Sequence, residues 1–146
     1  MANKQLVFWA VALGVFALDR ISKLLVLAYL PLSSSLNVGP IALTHVRNTG
    51  TLFGIGKGAG IMLGLFAAAV CLYIVFNHKK HPQNLQGVLG LVFAGAAGNL
   101  TDRLLYGSVI DFVDFKFWPV FNVADSAVTI AIVFLLYDSF FGKHKV

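Results

Sequence analysis

Residues 60–76 read GIMLGLFAAAVCLYIVF, without one charged side chain. A helix rises about 1.5 Å per residue, so such a run crosses most of a hydrocarbon layer roughly 30 Å thick. Cutting the sequence at Pro, Gly and charge clusters gives three more runs of this kind, at about 5–30, 85–105 and 123–141. Of the 146 residues, 58% are apolar and 12% charged, too little polarity to clothe a single water-soluble domain. The expected fold is a membrane all-α bundle, one integral domain over 1–146 with four transmembrane helices. The first run is not read as a cleavable leader. Lys4 precedes apolar Leu6–Leu18, but the apolar pattern resumes at Leu24–Leu30 after DRISK.

The formal charge of +5 comes from Lys and Arg scattered singly or in pairs, with no basic face to track phosphates, so nucleic acid is not an expected partner. The charges instead set topology. An even number of spans puts Lys4, Lys79, Lys80, Lys143 and Lys145 on one side, against Arg47, Lys57 and Lys116 in the opposite loops; the richer side is assigned to the cytoplasm, with both termini. Two long outer connections follow, about 31–59 and 106–122. Cys71, alone in an apolar run, reads as a packed thiol.

Within the first outer loop, IALTHVRN (41–48) alternates like an extended segment, after Pro40 and before the turn-like NTG. In the second, VIDFVDFKF (109–117) also alternates, placing Asp111, Val113, Phe115 and Phe117 on one face and Phe112, Asp114 and Lys116 on the other. These strands are expected to pair, or to rest at headgroup level, because bare sheet edges do not lie in hydrocarbon. The aromatics Phe112, Phe115, Phe117 and Trp118 suit that interface.

All six acidic residues are Asp. With the assigned orientation, Asp19 lies about 20 Å along the first helix, in the outer part of the membrane, and Lys23 one turn further can offset its charge. Asn99, Asp102 and Arg103 come near the outer end of the third span, just after AGAAG, whose small residues permit close helix approach. The fourth span opens NVAD. There Asn122 and Asp125 resemble a capping box, a purely structural role for Asp125, just as Asp111 taken alone is a solvated loop acid. Convergence tips the balance: three helices and a loop bring polar groups to one membrane depth, where such groups are functional by default. Arg103 either neutralises Asp102 or grips substrate carbonyls or phosphates. Asp114 is expected in solvent or on Lys116, and Asp138 at the inner interface. His78 and His81 have no acid nearby, so no metal site is assigned and no cofactor is expected.

Two Asp carboxyls brought close together do not ionise equally; one keeps a proton. Such a pair lets one member activate water while the other protonates a peptide carbonyl. No Ser–His, Cys–His or HExxH set competes. A proton-coupled carrier with Asp19, Asp102 and Asp125 as its relay is the alternative, but it calls for polar groups across the full depth, not crowded at one side.

The motifs NTGTLFG at 48–54, AGNLTDR at 97–103, VIDF at 109–112 and FNVADSA at 121–127, with DRISK at 19–23, resemble those of the lipoprotein signal peptidases (signal peptidase II) over nearly the whole chain. The resemblance implies an intramembrane aspartic endopeptidase that cuts bacterial prolipoproteins before a diacylglyceryl-modified Cys. It implies Asp111 and Asp125 as the catalytic pair. It also implies supporting or substrate-contacting roles for Asp19, Lys23, Asn48, Gly50, Asn99, Asp102, Arg103 and Asn122, a small extracytoplasmic β-sheet in the first outer loop and a mobile segment in the second. The expected partners are lipidated substrate and membrane lipid, around a monomer in the bacterial inner membrane with its site near the outer face. Three differences stand out: Arg20 in place of a Gln, Thr51 and Leu52 in place of small residues, and a short stretch between the two catalytic Asp.

Overall fold

The computed structural model describes residues 2–50 and 59–141, with side chains from residue 4 onward. Lys57, Lys143 and Lys145, used in the charge-based topology, and residues 51–54 of the NTGTLFG motif lie outside the described residues.

Four helices carry the fold: α1 (Ala2–Tyr29), α2 (Ala59–Asn77), α3 (Gln86–Tyr106) and α4 (Val123–Phe141). Their bounds fall within three residues of the sequence expectation at each end. Three helical stretches, Ala59–Lys80, Gln83–Tyr106 and Val123–Phe141, are long and apolar enough to cross a membrane. Helix α1 has 28 residues but carries Asp19, Arg20 and Lys23. Its polarity is inverted relative to a water-soluble helix. Phe8, Ala12, Asp19, Lys23 and Val26 form the buried stripe, while Leu6, Leu13, Leu18, Ile21, Leu24 and Leu25 point outward. Leucines outside and charges inside suit a lipid surround.

Helix α3 packs against the other three helices. Its small residues make this possible, because a Cβ on Gly95 would sit 2.5 Å from the Ala124 carbonyl oxygen, and one on Gly98 would sit 2.6 Å from Asp19 Oδ2. The AGAAG segment therefore brings α1 and α4 close to α3 at the level where the acids lie.

Three antiparallel strands, β1 (Ser35–Val38), β2 (Ile41–Asn48) and β3 (Val109–Asp114), form a sheet in the order β1-β2-β3. Strand β2 matches the alternating segment of the sequence. Strand β1 fits the small sheet that the resemblance implies for this loop, although its own residues do not mark it; it joins β2 through Gly39 and Pro40, with Gly39 at φ +63°. After α3, Gly107 takes the left-handed conformation (φ +71°) and gives its N–H to the Arg103 carbonyl, which turns the chain into β3. Ile110 and Phe112 then dock on Val26 near the C-terminal end of α1.

The strand expected to run to Phe117 stops at Asp114. Asp114 Oδ1 accepts the Lys116 N–H at 2.7 Å, and Lys116 turns left-handed at φ +68°. This local side-chain bond competes with the ladder and wins. The chain returns through Phe121, which bridges to Val113. At the opposite end of the bundle His78 is buried, stacked on Phe8 with ring centroids 4.0 Å apart and hydrogen-bonded to Gln86. It is part of the packing between helices.

Candidate active site

Strand β3 and the start of α4 deliver Asp111 and Asp125 to a common set of amides. Asn48 Nδ2 donates to Asp111 Oδ2 at 3.0 Å, and Asn122 Nδ2 donates to Asp111 Oδ1 at 2.7 Å. Asn99 Nδ2 donates to Asp125 Oδ1 at 2.7 Å. Asn122 Nδ2 also reaches Asn99 Oδ1 at 3.2 Å, so the two amides connect the two carboxyls. Asn99 Oδ1 in turn accepts from Lys23 Nζ at 3.2 Å.

The capping box foreseen at the start of α4 is present. Asp125 N–H donates to Asn122 Oδ1 at 2.9 Å and the Asn122 N–H donates to Asp125 Oδ2 at 3.3 Å. The cap engages one oxygen of Asp125 and leaves the other to Asn99. One side chain thus caps the helix and still meets Asn99, and the helix start fixes where that carboxyl points.

Beneath the pair lies an ionic cluster of two acids and two bases. Asp19 contacts Lys23 Nζ at 3.0 Å and Arg20 at 3.2 Å; Asp102 contacts Lys23 Nζ at 2.7 Å and also pairs with Arg20. Asp19 and Asp102 are wholly buried and Lys23 nearly so. Each acid spends a further oxygen contact on a backbone amide. Asp19 Oδ1 accepts the Ala124 N–H at 3.0 Å, and Asp102 Oδ2 accepts the Ile110 N–H at 3.1 Å. Those amides belong to the residues just before Asp125 and Asp111. The cluster is neutral within itself, as buried charges require, and it ties α1 and α3 to the backbone that carries both acids.

Gly50, in the left-handed region at φ +78°, donates its N–H to Asn48 Oδ1 at 2.9 Å. With the carbonyl end so engaged, the amide nitrogen of Asn48 is turned to Asp111. Arg103 is not the counter-ion of Asp102, since Arg20 and Lys23 hold that place. Its guanidinium makes one long bond, 3.4 Å to the Asn99 carbonyl, and its Nε is buried without a partner among the described residues. Asp114 is held by Thr44, by the Lys116 N–H and by Lys116 Nζ at 3.3 Å, and the Lys116 N–H above all draws its carboxyl below the ordinary range.

Asp111 is 2% exposed. Burial, reinforced by the charge of Asp125 and opposed by the Asn48 and Asn122 amides and by Lys23, raises its pKa from 3.8 to about 6. Asp125 instead faces an open cavity of about 690 Å³, lined also by Asn48, Phe115, Trp118, Phe121 and Ile130. One acid is thus shielded and the other meets the cavity.

All ten residues singled out in the sequence therefore fall in one connected network, apart from the looser Arg103. Sequence reasoning missed Arg20, noted only as a difference, and the two backbone amides. A base beside Asp19 was the available signal for Arg20; backbone amides leave none.

The molecule is thus a bundle with helices suited to a bilayer, closed around two carboxyls joined through a shared amide network. The family profile of signal peptidase (SPase) II matches residues 11–141, and the chain belongs to the signal peptidase II family. It is 44% identical over 133 residues to the lipoprotein signal peptidase of Syntrophomonas wolfei, covering 88% of this chain and 89% of that protein. It is 40% identical over 132 residues to that of Thermodesulfovibrio yellowstonii, covering 86% and 88%. A solved bacterial membrane enzyme is similar with a TM-score of 0.83 over 93% of both chains at 29% identity. A second gives 0.80 over 95% of this chain and 93% of that one, at 31% identity.

Proposed function

We propose that this protease removes signal peptides from prolipoproteins by aspartic chemistry, cutting before the diacylglyceryl-modified Cys with Asp111 and Asp125 as its dyad. The carrying observation is the amide bridge from Asp111 through Asn122 and Asn99 to Asp125. Asp111, shielded and raised, holds the proton that a peptide carbonyl needs. Asp125, at the cavity, takes a proton from the attacking water. The water oxygen bonds to the scissile carbonyl carbon, and the tetrahedral adduct then expels the amine, which leaves with a proton from the dyad. Arg103, with unused donors near both acids, is suited to hold a substrate carbonyl.

The chain acts as one integral domain that crosses the bacterial inner membrane four times, both termini in the cytoplasm and the site near the outer face. What supports a crossing by α1 is its inverted polarity and the mutual neutralisation of Asp19, Arg20, Lys23 and Asp102. A substrate with acyl chains and an apolar signal helix then arrives laterally within the bilayer at a monomeric enzyme, and the segment over the cavity, 115–121, moves aside to admit it. A carrier finds no support: the relatives are named lipoprotein signal peptidases, and the buried acids gather at one end of the bundle.

The test is cleavage of a synthetic peptide carrying a diacylglyceryl Cys by the purified protein. One cut on the amino side of that Cys is expected, with the unlipidated peptide cut at least about 100-fold more slowly, since the acyl chains supply much of the binding. Cleavage elsewhere, or equal rates on both peptides, would contradict the assignment.

A further inference from the structure

The pairing of β2 with β3 contains an irregularity that decides which side chain faces Asp111. Leu43 pairs with Val113 and Val46 with Asp111, so Thr44 and His45 together oppose Phe112 alone. That is a β-bulge. In an unbroken ladder, counting from the Leu43–Val113 pair, His45 would stand opposite Asp111 and Arg47 opposite Val109. The extra residue shifts the parity. Val46 and Asn48 take those places, and Arg47 lies instead over the Tyr106 ring, 5.6 Å from its centroid. A one-residue slip moves every side chain to the other face, so the bulge is what puts a neutral amide, not a guanidinium, beside Asp111.

The bulge is held by His45, 4% exposed. Its Nδ1 lies 2.8 Å from the Leu30 carbonyl oxygen, just past the end of α1; a carbonyl only accepts, so Nδ1 carries the hydrogen. Its backbone is anchored to the same turn. The Ser33 N–H donates to the His45 carbonyl at 2.9 Å, and the His45 N–H donates to the Ser34 carbonyl at 3.0 Å. Nε2 is buried with no partner among the described residues, so the side chain's one hydrogen bond is the one that Nδ1 makes.

We propose that His45 is a positioning residue: by pinning the β2 bulge to the outer end of α1, it sets the strand parity that gives Asp111 Asn48 as its neighbour in place of Arg47. The proposal rests on Asp111 acting in the dyad. Loss of the pin allows the regular register, which brings the guanidinium to Asp111 and favours its ionised form.

The side-chain nitrogen of Asn occupies the place of His Nδ1, whereas that of Gln occupies the place of Nε2. With the lipidated peptide, His45→Gln is expected to lower kcat about tenfold with KM within about twofold, and to move the Asp111 limb of the pH profile about one unit lower. His45→Asn should keep kcat within about threefold and leave the limb in place. Adding Arg47→Gln to His45→Gln should return the limb to its wild-type position. A wild-type limb in His45→Gln, or equal behaviour of the Asn and Gln variants, overturns the proposal. Should His45→Gln fail to fold, His45→Ala takes its place with the same expectations; if neither folds while His45→Asn does, the anchor is structural only and the proposal fails. Asp111→Asn in the same assay separates the two ideas, because full activity there removes the dyad whatever His45 does.

Discussion

Asp111→Asn and Asp125→Asn are each expected to reduce turnover of the lipidated peptide by about 1000-fold or more, with the protein still folded. An amide matches a carboxyl in size but neither holds nor delivers the proton that the reaction passes between the two. Each substitution also sets an amide nitrogen against a donor. At 111 the two oxygens already accept from Asn48 and Asn122, and at 125 from Asn99 and the Asn122 N–H. Asp114→Asn is the control. Its carboxyl serves Thr44 and Lys116, away from the bridge, and activity should stay within about twofold. Near-normal turnover by either dyad variant would rule out the aspartic mechanism.

Asp102→Ala has the largest expected effect on stability. It leaves Lys23 and Arg20 with Asp19 as their one remaining acid in the cluster and strips the Ile110 amide of its acceptor. Removing one partner from a buried ionic cluster costs about 3–5 kcal/mol, because the remaining charge stays out of water. The thermal midpoint in detergent should fall by about 10 °C or more. Activity should fall as well, since Ile110 carries Asp111. A midpoint within about 2 °C of wild type would show that Arg20 and Lys23 do not depend on this acid.

The helices were legible because a bilayer demands long apolar runs and the chain offers few other ways to satisfy its backbone. Strand β2 was legible from alternation. Strand β1 was not, since its residues are exposed on both faces and carry no hydrophobic period; only Gly39–Pro40 marked the hairpin. The alternation of β3 ran past its true end because an Asp–Lys turn leaves the apolar pattern unbroken at Phe115 and Phe117. For the site, side-chain chemistry was readable and backbone chemistry was not. Asp19 and Asp102 looked like neighbours of the proposed pair, but the grip of Asp19 on the Ala124 amide depends on helix approach at Gly95 and Gly98, and that of Asp102 on the Ile110 amide on the Gly107 turn that leads from α3 into β3. The bulge at Thr44 and His45 was equally hidden, because only the pairing with β3 reveals a parity shift.

Titration of the Asp carboxyls by carbon-13 NMR in detergent reads the coupled pair without any substrate. A resonance that is missing in Asp111→Asn should titrate near pH 6 rather than 3.8, and should move to lower pH in Asp125→Asn, where the neighbouring charge is gone. An Asp111 carboxyl that titrates at the ordinary value, or one indifferent to the loss of Asp125, would contradict a shared proton.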